Sequence, residues 1–142
     1  MKRLLALIMG VLLFATILKG QSPIKPFVIP ELTEWTASQG TSTLSGRVIV
    51  RSSQLASTAR LLVEQYNLLT GKQLILTKGK QKNGDIILEV IDDKTLGDEG
   101  YKLNISNTIC ISASSNTGLF WGTQTLLQMI NQDGLLQRGT AR

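Results

Sequence analysis

The 142-residue chain is 42% hydrophobic and 18% charged, with fifteen Lys and Arg against ten Asp and Glu and a formal net charge of +5. A chain of this length has room for one core, burying roughly two thirds of its unfolded surface, so neither a disulfide nor a metal is needed to hold it. It contains no histidine and one cysteine, Cys110, which excludes Ser-His and Cys-His catalysis, HExxH zinc sites and any intrachain disulfide.

Residues 1–20 read as a secretory signal. Lys2 and Arg3 give a basic start, Leu4 to Leu18 is almost wholly apolar, and Lys19, Gly20 and Gln21 follow. The apolar run is shorter than the ~20 residues of a spanning helix. Cleavage is expected near Gly20, with export to the periplasm, cell surface or medium; an uncleaved anchor is the other reading. Lys2, Arg3 and Lys19 supply three of the fifteen basic residues, leaving twelve against ten acids. So small an excess argues against a nucleic-acid partner.

Residues 21–45 hold all three prolines and many Ser and Thr residues, and are expected to form an extended lead-in. Trp35 within it is read as a packed residue rather than a sugar platform. Residues 46–134 carry the periodic elements. GRVIVR is a β-branched strand, and Ser52 or Ser53 is placed to cap a helix. Leu55, Ala59, Leu62, Val63, Tyr66 and Leu69 repeat at three-four spacing, which predicts that helix as amphipathic and closed by Gly71.

Three or four strands come next. Gln73–Lys78 and Asp85–Val90 alternate on either side of KGKQKNGD, whose Asn83-Gly84 pair predicts a hairpin turn. Lys78, Lys80 and Lys82 then sit at a solvated tip rather than an anion site. Tyr101–Ile105 and Thr108–Ala113 alternate about Ser106-Asn107, a second hairpin. Cys110 in this run is read as a small buried side chain. NTGLFWGTQTLLQMINQDG predicts a second helix, capped by Ser115 or Asn116, with Leu119, Phe120, Thr123, Leu126, Leu127 and Ile130 inward. The fold class is α/β in the α+β sense: a mostly antiparallel sheet with two helices packed on one face.

GDEGYKLNI, residues 97–105, places Asp98 and Glu99 side by side ahead of a strand. Paired acids drive many glycosidases. Extended neighbours, however, point to opposite sides of a sheet and cannot converge on one bond. A general acid also needs a pocket to raise its pKa. The pair is therefore read as structural, with one carboxylate accepting hydrogen bonds at the strand entry.

Gly97, Asp98, Glu99, Gly100 and Tyr101, followed by Gly118, Leu119, Phe120, Trp121, Gly122, Gln124, Thr125, Leu126 and Gln128, carry a resemblance. Together with the capped helix and Ile29-Pro30, they resemble the N-terminal accessory domain of glycoside hydrolase family 20, the β-N-acetylhexosaminidases and chitobiases. The likeness spans about residues 27–133 and implies a zincin-like sandwich. It also implies that chemistry belongs to a (β/α)8 barrel following this domain. There an Asp-Glu pair acts with the substrate's own acetamido group: its carbonyl oxygen attacks the anomeric carbon, Glu protonates the leaving oxygen and Asp orients the amide.

The family barrel opens with Pro-Arg-Phe-x-x-Arg-Gly, whereas residues 135–142, LLQRGTAR, keep only Arg138-Gly139. These residues are read as a tail, with the barrel absent from this chain and Arg138 not a substrate ligand. A fragment, an early-terminated product or a domain standing alone would each read this way. No catalytic, cofactor or metal residue is assigned, and this chain alone is expected to be inactive. The leading expectation is the accessory domain of an exported enzyme removing terminal N-acetylhexosamine from glycans or chitin fragments. The alternative is a stand-alone periplasmic or surface module for a glycan or protein partner, drawing on Trp35 and Trp121. A metallopeptidase is set aside for want of histidine.

Overall fold

In the computed structural model, residues 24–133 and 135–142 are described; the predicted signal at residues 1–20 lies outside them. Seven strands form one sheet: β1 (Trp35–Ser42), β2 (Arg47–Val50), β3 (Ile75–Thr77), β4 (Ile86–Val90), β5 (Tyr101–Ile105), β6 (Ile109–Ala113) and β7 (Leu136–Ala141). Their spatial order is β1-β7-β5-β6-β4-β2-β3. Helix α1 (Ala56–Thr70) lies over β2 and β3, and α2 (Asn116–Asp133) lies over β5, β6 and β4. The helices touch each other, so both occupy one face of the sheet, as the alternation predicted.

Strand β6 divides the sheet. On one side β5, β7 and β1 continue antiparallel; on the other β4, β2 and β3 run parallel to it. The sheet expected to be mostly antiparallel is thus antiparallel in half its pairings. Ser106-Asn107 does close a hairpin, with Ile105 opposite Ile109. The hairpin expected across KGKQKNGD does not form, because β2 lies between β3 and β4 and is parallel to both. Alternation sets which face a residue takes, but it does not name the neighbouring strand.

Residues 78–85 instead cross back over the face away from the helices. Arg47 Nη2 donates to the Lys80 carbonyl (3.3 Å), and Arg51 Nη2 donates to Gln81 Oε1 (2.6 Å). Beneath this loop Ile49 and Ile87, cross-strand partners on that face, are buried. Lys78, Lys80 and Lys82 remain exposed on the loop.

The sheet also reaches past the predicted limits. The lead-in supplies β1, and the residues read as a tail supply β7, which inserts between β1 and β5. Neither WTASQGTS nor LQRGTA has a clean apolar alternation. They become strands because partners distant in sequence offer unpaired backbone groups, and such pairing overrides a weak local preference.

The main core lies between sheet and helices. Val48, Ile86, Leu88, Leu103, Ile109 and Ile111 face Leu55, Ala59, Leu62, Leu119 and Leu126, all fully enclosed. Each such Leu or Ile contributes about 1.5–3 kcal/mol on leaving water. Leu69, predicted inward, is 46% exposed. It sits in the last turn of α1.

Candidate functional site

The two halves of the motif meet where α2 rests on the sheet. After a 3-10 turn (Lys94–Leu96), Gly97 takes φ +63°, a conformation that side chains rarely adopt. Gly100 then presses against the Leu96 backbone, and its carbonyl lies where a Cβ on Gly118 would be. One turn on, a Cβ on Gly122 would overlap the Ile111 side chain and stand 3.2 Å from the Tyr101 ring. Tyr101 Oη lies 2.5 Å from Thr125 Oγ1, in the next turn of α2. Burial of this phenol pushes its pKa up, and the Thr125 hydrogen bond partly offsets that. Ser115 Oγ accepts from the Gly118 N–H (3.0 Å), which makes Ser115 the cap, and donates to the Asp98 carbonyl.

Asp98 and Glu99 themselves are exposed in this turn. The carboxylate role expected for one of them goes to other groups. Asp98 acts through its backbone carbonyl, and the working carboxylate nearby is Asp93, at the entrance to the 3-10 turn. Asp93 accepts from Thr95 N (3.0 Å), Thr95 Oγ1 (2.6 Å) and Lys102 Nζ (2.6 Å). The Lys102 ammonium and the Thr95 donors hold its carboxyl well below the usual carboxylate range. The signal was legible as Asp-x-Thr, the local cap pattern.

A shallow groove of about 400 Å³ lies on the far face of the sheet. It is lined by Glu34, Thr36, Glu89, Lys102, Asn104, Cys110, Ser112, Thr140 and Arg142. Its charges are largely occupied. Glu89 Oε1 accepts from Ser112 Oγ (2.9 Å) and Cys110 Sγ (3.3 Å), and Lys102 holds Asp93. Arg142 Nη2 donates to the carbonyl (2.8 Å) and hydroxyl (3.0 Å) oxygens of Thr95. Cys110 is half-buried rather than in the core; desolvation, with Glu89 beside it, raises its pKa, so the thiol is a poor nucleophile at neutral pH. Among the described residues no cluster of three or more His, Cys, Asp or Glu is placed to hold a metal ion.

The other singled-out residues are dispersed. Trp35 packs over Gly139 and against the core, with its Nε1–H buried and without a hydrogen-bond partner. Trp121 is 38% exposed on α2, edge-on to Phe120 with ring centroids 5.2 Å apart. Arg138 is an internal tie: Nε donates to the Thr41 carbonyl (3.1 Å) and Ser42 Oγ (3.2 Å), and Nη2 to Asn107 Oδ1 (2.9 Å). Sequence reasoning passed over Asp85, which is fully buried. Its carboxylate accepts from Ser45 Oγ and Lys82 N, both at 2.7 Å, with Arg47 at 3.6 Å. The arrangement as a whole is one of packing and bracing, with no convergent acid, base and nucleophile among the described residues.

Comparison with known proteins agrees with this geometry. Residues 25–142 match glycosyl hydrolase family 20, domain 2. The lacto-N-biosidase of Bifidobacterium bifidum is 34% identical over 121 residues, covering 82% of this chain and 11% of that protein. The β-N-acetylhexosaminidase of Streptomyces coelicolor A3(2) superposes with a TM-score of 0.67 at 26% identity, over 84% of this chain and 26% of its own. An exo-β-N-acetylglucosaminidase from Vibrio harveyi shares the fold, with a TM-score of 0.68 at 21% identity over 86% of this chain and 20% of its own. The chain therefore spans about a tenth to a quarter of these relatives' lengths. By the match across nearly all its described residues, this chain belongs to glycosyl hydrolase family 20, of which it carries domain 2.

Proposed function

We propose that this domain is the non-catalytic accessory part of an exported β-N-acetylhexosaminidase, an enzyme removing terminal N-acetylhexosamine from glycans or chitin oligomers. The observation carrying this reading is the match of residues 25–142 to domain 2, together with the small share of each relative that the domain occupies. Chemistry then falls to a (β/α)8 barrel in the same protein, where an Asp-Glu pair works with the substrate's acetamido group. The domain's own task is to pack against that barrel and stabilise it. The hydrogen-bonded roles of Tyr101, Asp85 and Arg138 suit a brace better than a reaction centre. The reading frame beyond codon 142 tests this: a barrel-coding sequence is expected, and its absence in every frame would contradict the proposal.

A second reading, a surface module for a glycan, draws on the exposure of Trp121. Aromatic faces stack on sugars, but a sugar site also needs polar groups converging beside the ring. Micromolar binding on a glycan array, lost in Trp121→Ala, would favour this second reading.

A further inference from the structure

We propose that the lysine loop of residues 78–85, with the hydroxyl-lined cleft into which it leads, is a binding surface for an acidic polysaccharide, a sugar chain carrying carboxylate or sulfate groups. This goes beyond the bracing role and does not depend on a barrel.

Charge is unevenly spread along the chain. Residues 46–85 contain seven Lys and Arg against two acids, whereas residues 86–142 contain four against six. Of those two acids, Glu64 belongs to α1, on the opposite face of the sheet from the loop. Asp85 is fully buried, its carboxylate taken by Ser45 Oγ, Lys82 N and Arg47. Lys78, Lys80 and Lys82 are exposed, and among the described residues none of the three is paired with a carboxylate. A hairpin would leave them on a free tip. Instead Arg47 holds the loop at the Lys80 carbonyl and Arg51 holds it at Gln81 Oε1, so five cations share one surface. Cations fixed on one face attract a polyanion more strongly than a small net charge implies.

Past Lys82 the loop turns at Asn83-Gly84. Gly84 has φ +82°, and a Cβ there would stand 2.5 Å from the Thr43 carbonyl, so glycine is needed for the turn to lie this close. The Ser45 N–H donates to the Gly84 carbonyl (2.8 Å), and the Gly84 N–H donates to the Asn107 carbonyl (2.7 Å). The turn thereby borders a cleft of about 410 Å³ lined by Thr41, Thr43, Ser45, Asn83, Asn107 and Arg138. Hydroxyl and amide groups both donate and accept, as sugar hydroxyls require. Arg138, tied to Thr41, Ser42 and Asn107, keeps one wall rigid and positive.

A sugar chain suits this surface better than a lipid one. Segments that lie on anionic bilayers join cations to an apolar face. Residues 78–85, KGKQKNGD, contain no apolar side chain, and Ile75 on β3, 57% exposed, is a single aliphatic of the ordinary surface kind.

Surface plasmon resonance of the 142-residue chain tests the proposal. The probes are heparin and polygalacturonate, with dextran as a neutral sugar chain, polyglutamate as a polyanion without sugars, and phosphatidylcholine vesicles containing phosphatidylglycerol. Binding to heparin, polygalacturonate or both is expected, the pair reporting whether sulfate or carboxylate is preferred, and it should weaken as salt rises. Lys78→Gln, Lys80→Gln and Lys82→Gln together should lower the affinity about tenfold or more. Lys78→Arg, Lys80→Arg and Lys82→Arg together should retain it. Arg60→Gln, Lys72→Gln and Lys94→Gln, which remove equal charge elsewhere, should change it by about twofold or less. All three variants should keep the wild-type melting temperature, since every position is exposed. The proposal is overturned if neither acidic polysaccharide binds above dextran, if polyglutamate or the vesicles bind as tightly, or if the two glutamine variants lose affinity equally. Any of these leaves the accessory role standing.

Discussion

The hydroxyls of Tyr101 on β5 and Thr125 on α2 lie 2.5 Å apart, and the Tyr101 ring rests beside the bare Cα of Gly122. This contact joins the two halves of the motif into one packing device. A helix that must approach β5 and β6 so closely needs glycine where Ile111 and Tyr101 press up, and a hydroxyl one turn further on.

Gly122→Ala tests that closeness by its sign. In an exposed helix the change would add about 1 kcal/mol through propensity. Here the new methyl meets Ile111, and overpacking costs about 1–3 kcal/mol. Urea denaturation is expected to show a net loss of stability, and a gain would contradict the packing account.

Tyr101→Phe removes the hydroxyl pair and is expected to cost about 1 kcal/mol at neutral pH. The wild-type phenol is shifted upward on folding, chiefly by burial. Its neutral form is favoured in the folded state, so stability is complete below the unfolded value of about 10 and is lost as pH rises through the folded one. Denaturant midpoints between neutral pH and about pH 11 should fall more steeply for wild type than for Tyr101→Phe.

Asp93 gives the acid counterpart. Its carboxyl is depressed by Lys102 and Thr95, so its contribution is present above the ordinary value of about 3.9 and is lost as pH falls toward the depressed one. The Asp93→Asn variant should show a shallower decline of stability below about pH 4. Parallel curves for the two proteins would show that the Lys102 contact adds nothing.

The acids differ sharply in what they support. Asp85→Ala leaves the Ser45 hydroxyl and the Lys82 N–H, both part-buried, without their acceptor, at an expected cost of about 1–3 kcal/mol. Asp98→Ala and Glu99→Ala, at exposed positions, should each stay within about 0.5 kcal/mol of wild type. Chemical denaturation of the three variants decides between these roles.

Legibility followed locality. The helices were readable because Leu55, Ala59, Leu62 and Tyr66, or Leu119, Thr123 and Leu126, repeat along one face. Gly71 and Ser115 mark ends by local geometry. The Tyr101–Ala113 hairpin was readable for the same reason. Strand partners were not: nothing local shows that β2 separates β3 from β4, or that LQRGTA pairs with residues about a hundred positions earlier. The GDEGY turn packs against the first turn of α2, where the Gly100 carbonyl meets Gly118. Its working carboxylate was misplaced by a few residues, because exposure at Asp98 and hydrogen bonding at Asp93 depend on the fold of the turn.

The most direct measurement is an assay of the purified 142-residue chain with a chromogenic N-acetylglucosaminide. An accessory domain is expected to give no turnover above buffer at any enzyme concentration. Turnover that scales with protein and disappears in Asp98→Ala or Glu99→Ala would place a reaction centre in this domain and contradict the account.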